Sequence, residues 1–122
     1  VARDTVPLST LVFTSVVASP IAQGRKPRDA VEVVVDDHAL SAAYDGEPLD
    51  RATVQATPQD AWFTDGTIAV LTCGCGDSGC SDFTVNVRRE GSLVAWTLWN
   101  GRKVRFEAEP AIRSLRAALA TQ

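Results

Sequence analysis

Alternation of apolar and polar positions is clearest in the second half of the chain. In residues 82–88, Phe83, Val85 and Val87 face one way and Thr84, Asn86 and Arg88 the other. That is the two-residue period of a half-buried strand. Residues 67–73 are nearly continuous in apolar side chains, which predicts a central strand covered on both faces. Glu90-Gly91 turns the chain into a strand over 93–99. Asn100-Gly101 predicts a type I′ hairpin, because both residues tolerate the positive φ such a turn demands, and 102–107 returns as a strand. Pro110 suits the first position of a helix. Its inner stripe would be Ile112, Leu115, Ala118 and Leu119, with Arg113 and Arg116 toward solvent.

The first half is less regular. Residues 10–18 and 31–36, rich in Val, Phe and Thr, read as strands, and Ser19-Pro20 ends the first of them. Asp37 is placed to cap a short helix over 38–44 with Leu40, Ala43 and Tyr44 on its inner side. Residues 23–29 form a polar loop. Residues 49–65, with Pro58 and a Trp62-Phe63 pair, show no period. These elements predict one α+β domain over residues 1–122. It is an antiparallel β-sheet meander of about six strands, with the C-terminal helix packed on one face.

Composition narrows the function classes. A chain of 122 residues can bury a real core, and 45% apolar with 22% charged residues is globular rather than disordered composition. The net charge of −3 supplies no field to attract nucleic acid or anionic lipid, so neither is an expected partner. The apolar run within residues 6–22 is broken by Thr10, Thr14, Ser15 and Ser19, and Asp4 precedes it. It is too short and too polar for a membrane span or an export signal. A cytoplasmic location, where thiols stay reduced, is the expectation. The chain contains no methionine, so Val1 follows either a processed initiator or an upstream boundary.

The most distinctive chemistry is the run Cys73-Gly74-Cys75-Gly76-Asp77-Ser78-Gly79-Cys80, which holds all three cysteines. At the end of a strand, Cys73 and Cys75 project to one side, and the glycines let the backbone return Cys80 toward them. Amide N–H groups near a sulfur favour the thiolate. Three readings stay open. The sulfurs can be small apolar fillers of a glycine turn. They can bind zinc as three thiolates with a fourth ligand, His38, or else Asp77 or Asp82. Or Cys80 can pair with Cys73 or Cys75 in a thiol-redox couple. The spacing lacks the second knuckle of a strong zinc signature and the C-x-x-C of a redox motif. Gly74, Gly76 and Gly79 also spell G-x-G-x-x-G after a strand, but the alternating segment that follows builds no helix, so a dinucleotide site is rejected.

Other candidates have plainer explanations. His38 is the only histidine and thus the only base for a Ser–His or Cys–His nucleophile, yet beside two aspartates it reads first as a surface residue. Glu107 and Glu109 precede a helix, where negative charge is favourable, and Asp36-Asp37 reads the same way. Trp96 and Trp99 point to opposite sides of the strand over 93–99, and both sides of that strand are apolar. One helix covers one face. The other must meet the N-terminal segments, a partner or a second copy, which makes Trp96 and Trp99 candidate interaction residues.

The stretch from Ala69 to Trp99 contains Ala-Val-Leu-Thr-Cys-Gly-Cys-Gly-Asp-Ser-Gly-Cys, the alternating Phe83–Arg88 segment and Val94-Ala95-Trp96. It resembles a group of small uncharacterised bacterial proteins with an LLxCxCGxxGC turn followed by a β-hairpin. The likeness extends faintly to residues 31–44 and to the C-terminal helix, and leaves out the first 30 residues. It implies that the cysteine turn and the hairpin belong to the domain's framework, and it brings no activity with it. The resulting expectation is a non-enzymatic cytoplasmic domain acting through protein contacts, a homodimer included. The alternative is a small metal-binding or thiol-redox protein using Cys73, Cys75 and Cys80, and a hydrolase built around His38 comes last.

Overall fold

A computed structural model describes residues 7–18, 27–44, 46–72 and 83–120. The elements in chain order are β1 (Leu11–Ala18), β2 (Arg28–Val35), β3 (His38–Ala39), α1 (Leu40–Tyr44), β4 (Glu47–Asp50), α2 (Arg51–Ala56), a 3₁₀ turn (Gln59–Trp62), β5 (Gly66–Thr72), β6 (Phe83–Glu90), β7 (Leu93–Leu98), β8 (Lys103–Glu107) and α3 (Ala108–Ala120). All strand pairings are antiparallel, in the order β1-β2-β4-β5-β6-β7-β8, with β3 paired to β2. The expected α+β class, antiparallel meander and C-terminal helix are therefore present. The sheet has eight strands rather than about six, because β3 and β4 are too short to show a period.

The sheet does not stay open. Just before β1, Leu8 forms a parallel bridge to Arg105 of β8, and the Ser9 N–H donates to the Arg105 carbonyl at 2.7 Å. The two outermost strands thus meet at one point. Helix α3 lies along β1, where the Phe13 N–H donates to Ser114 Oγ at 3.0 Å. A strand edge that would otherwise offer unpaired backbone groups is thereby occupied.

This curl explains how one helix covers so apolar a sheet. Phe13 of β1 meets Trp62, Phe63 and Trp96 nearly edge-on, at centroid distances of 5.7, 6.0 and 6.4 Å. Phe106 closes the cluster against Trp96 at 5.3 Å and Phe63 at 6.5 Å. These five rings are buried, and edge-to-face pairs of this kind add about 0.5–1.5 kcal/mol each beyond the area they bury. The buried Trp96 indole N–H donates to the Trp62 carbonyl at 3.0 Å, whereas the buried Trp62 indole N–H has no partner among the described residues. The Trp62-Phe63 pair, which no period announced, is the floor of the core.

Helix α3 begins at Ala108, two residues before Pro110, so the proline sits within the first turn, where its missing N–H is still no loss. Its buried residues are Ala108, Ala111, Leu115 and Ala118, while Ile112 and Leu119 are only half-buried. The expected stripe is rotated toward the alanines because the helix nests close to β1. At its other end, Arg51 of α2 donates to the carbonyls of Ala118, at 2.9 Å, and Leu119. A cation on the last turn of a helix both satisfies free carbonyls and opposes the helix dipole.

Two turns differ from the sequence expectation. Asp36 and Asp37 do not cap a helix. Both adopt positive φ, 50° and 69°, in the two-residue loop that pairs Val35 with His38. That is the type I′ geometry, which Asp tolerates better than most residues, and it makes His38 and Ala39 a strand. At Asn100-Gly101 only the glycine has positive φ, 90°. The Gly101 N–H donates to the Leu98 carbonyl and the Leu98 N–H to the Arg102 carbonyl, closing a three-residue loop of the type I plus G1 bulge kind.

Candidate functional site

Strand register brings the starts of β4, β6 and β8 and the ends of β2, β5 and β7 to one end of the sheet. Glu47 pairs with Thr72, Leu71 with Phe83, Val85 with Leu98, and Thr97 with Lys103. Residues 73–82 connect two paired strand ends there. Cys73, Cys75 and Cys80, with Asp77 and Asp82, lie outside the described residues. Among the described residues, no group of three His, Cys, Asp or Glu side chains is arranged to hold a metal ion.

What the structure does describe at this end is an aromatic and arginine cluster. Trp99 leaves the end of β7 in the three-residue loop. Its ring meets Phe83 at 4.8 Å and Tyr44 at 5.0 Å, the latter nearly perpendicular. Unlike the five core rings, these three are only half-buried. Gly46 makes the approach possible. A Cβ there would lie 2.7 Å from Phe83 Cε2 and 3.1 Å from Leu71 Cδ1, so any side chain at this position would push the Phe83 ring aside.

Arg102 completes the cluster. Its backbone is held by the hairpin loop, with its N–H donating to Asn100 Oδ1 at 2.9 Å, and its Nη1 donates to the Tyr44 hydroxyl at 3.0 Å. The guanidinium favours the phenolate, and Tyr44 titrates below the ordinary phenol range as a result. Burial opposes this shift, and the Asn100 side chain adds to it.

Beside the cluster lies an open groove of about 420 Å³ between the Asp36-Asp37 hairpin, α1 and the β7–β8 loop. Val35, Leu40 and the alanines of α1 form its apolar floor, and His38, Asp37 and Arg102 its polar rim. The groove wall is fixed to the sheet by Glu32. This buried carboxylate of β2 accepts from the Ser41 N–H, at 3.3 Å, and from the Ser41 hydroxyl. The hairpin is fixed by Asp36, which accepts the Thr10 N–H at 2.9 Å while its own N–H donates to the Thr10 carbonyl at 2.9 Å. The Thr10 N–H is the main reason the Asp36 carboxyl titrates below its ordinary range. The Ser9 hydroxyl acts in the same direction, burial opposes it, and the charges of Arg102 and His38 add smaller lowering effects.

The sequence candidates separate accordingly. His38 is exposed on the groove rim, and among the described residues it makes no hydrogen bond to the serine hydroxyl that a Ser–His nucleophile requires. Trp96 is fully buried and serves the core, whereas Trp99 stands at the open end. The second side of β7 is not a continuous apolar face. Ala95 lies between Arg88 and Arg105, and Thr97 between Asn86 and Lys103. The sequence pattern marks Tyr44 only as an inner helix residue and Arg102 only as a strand start. The available signal was the Asn-Gly turn, which fixes the residues on both sides of it.

No family model, no curated protein and no solved structure matches this chain. No helix among the described residues is long and apolar enough to cross a membrane.

Proposed function

We propose that this α+β domain is a non-enzymatic binding protein of the cytoplasm that engages another protein, a second copy of itself included, through the loop end of its sheet. The observation that carries the reading is the contrast in burial between two aromatic groups. Five rings are withdrawn into the core, while Tyr44, Phe83 and Trp99 remain half-exposed beside Arg102. Tyr, Trp, Phe and Arg are the residues most enriched at protein interfaces and at their energetic centres. The three rings pack against the core yet keep part of their area at the rim, and nothing at this end pairs an activated nucleophile with a base among the described residues. Light scattering after size exclusion, over a wide concentration range, tests the homodimer form. A mass that rises with concentration, and does not do so in Trp99→Ala, supports it. A mass of one chain throughout removes self-association and leaves a different protein as the partner.

The second reading is zinc or thiol-redox chemistry at Cys73, Cys75 and Cys80, with His38 as a fourth ligand. The pairing of Leu71 with Phe83 favours it, because both ends of the cysteine-bearing segment start from adjacent strands at the same sheet end as the His38 hairpin. The same likeness to small bacterial proteins with this turn fits either reading. Elemental analysis of protein purified without added metal or chelator, with a free-thiol count, decides it. One zinc per chain with protected thiols supports a site, and three titratable thiols without metal remove it.

A further inference from the structure

The Asn100-Gly101 loop sets an amide electrophile beside an unhindered amide nucleophile. The turn needs glycine at 101, where φ is 90° and any side chain would strain the backbone. The same requirement leaves the Gly101 nitrogen with no adjoining Cβ to hinder its approach to the Asn100 side chain. Both residues are exposed, so water and solvent base reach them. The reacting groups belong to neighbouring residues, and proximity favours their closure into a cyclic imide.

The loop supplies both a brake and an aid. The Gly101 N–H donates to the Leu98 carbonyl at 2.9 Å, and attack must first break that bond. The Arg102 N–H donates to Asn100 Oδ1 at 2.9 Å. Negative charge gathers on that oxygen as Cγ becomes tetrahedral, and a donor already aimed there stabilises it. Asn86, the other asparagine of the chain, is placed differently. It precedes the β-branched Val87, which is fixed in the ladder between Gly66 and Trp96, and its Oδ1 accepts from the Thr67 hydroxyl.

We propose that Asn100 is a self-modification site, at which the chain converts its own side-chain amide to a carboxylate and thereby dismantles the rim cluster. The Gly101 nitrogen gives its proton to solvent base and bonds to Asn100 Cγ. The Cγ–Nδ2 bond breaks, and Nδ2 takes up a proton from water and leaves as ammonia. Water then opens the imide. Cleavage between Cγ and the Gly101 nitrogen gives aspartate, and cleavage at the main-chain carbonyl gives its β-linked isomer. Water is consumed and ammonia released, with no other reactant. Either product sets a carboxylate beside Arg102, where it competes with the Tyr44 hydroxyl for the guanidinium. The β-linked product also lengthens the main chain of a loop closed by the Leu98 N–H on the Arg102 carbonyl. The proposal stands whether or not the rim engages a partner.

The test incubates the folded full chain in mildly acidic and mildly alkaline buffers, with a urea-unfolded sample alongside. Peptide mapping then separates asparagine, aspartate and β-linked aspartate. Conversion in the folded chain should occur at Asn100 and spare Asn86. It should quicken about tenfold for each unit of pH, as attack by a deprotonated nitrogen requires. Conversion in urea alone overturns the proposal, because the turn then protects the site. Conversion in neither sample, or equal conversion of Asn86, overturns it as well. A second readout follows the rim. Arg102 and, after it, the Asn100 side chain hold the Tyr44 phenol low against burial. The converted chain, and Asn100→Asp, should therefore titrate at Tyr44 nearer the ordinary phenol range. Conversion that leaves the Tyr44 midpoint in place overturns the effect on the cluster.

Discussion

Two aromatic groups in this molecule obey different rules. The inner group of Phe13, Trp62, Phe63, Trp96 and Phe106 joins four separate parts of the chain and is sealed from water. The rim group of Tyr44, Phe83 and Trp99 is comparably close-packed, ring to ring, but faces solvent on one side and ends in a polar contact to Arg102. Ring contacts alone therefore do not mark a core. The inner rings are where burial supplies stability, and the rim rings are where apolar area remains for something else to cover.

The largest effect that would break this comparison is at Trp96. Trp96→Ala should cost about 3–5 kcal/mol, the range for deleting a buried aromatic, with the Trp62 carbonyl left without its donor. Urea unfolding measures it. A cost near that of a surface substitution would mean that the inner group is not the core. Next comes Gly46→Ala. The added methyl meets Phe83 at 2.7 Å, and overpacking of this kind costs about 1–3 kcal/mol. Because Phe83 touches Trp99, a shift in tryptophan emission should accompany the loss, and unchanged emission would argue against a coupled rim. Trp99→Ala should cost about 1 kcal/mol, well below Trp96→Ala, since only part of its area is withdrawn from water. Equal costs at the two tryptophans would erase the distinction.

The smallest effect is on titration. Tyr44 has a lowered pKa in the folded state, so the folded protein releases the phenol proton earlier than the unfolded chain does. Stability from this source appears as pH rises through the folded midpoint and is complete above the ordinary phenol value of about 10. Ultraviolet titration should show one tyrosine ionising below that value, and Arg102→Gln should return it. Asp36 acts in the acid range with the same sign. Its contribution is present above the ordinary carboxyl value and is lost as pH falls through the lower folded midpoint.

Much of the fold was legible because its signals are local. The alternation of Phe83, Val85 and Val87 and the helix after Pro110 needed only neighbours in sequence, and both elements are present. What escaped was set by distant contacts. The type I′ turn at Asp36-Asp37 uses αL aspartates that read equally well as a helix cap, and only the pairing of Val35 with His38 decides between them. The Trp62-Phe63 pair gains its role from Phe13 and Trp96, far away in the chain. At the rim, sequence picked out His38 and Trp99 separately. Their common setting depends on Tyr44 and Arg102, residues 58 positions apart that meet through one hydrogen bond.

The hydrogen bond from the Phe13 N–H to Ser114 spans 101 residues. During synthesis, β1 is made well before the helix that occupies its edge. At about 5–20 residues per second, roughly 5–20 s separate the two. Throughout that interval β1 can pair with β2 on one side only, and its outer edge stays open to any other strand in reach. The ribosome thus holds β1 with one edge open until this helix appears, and its arrival ends that exposure.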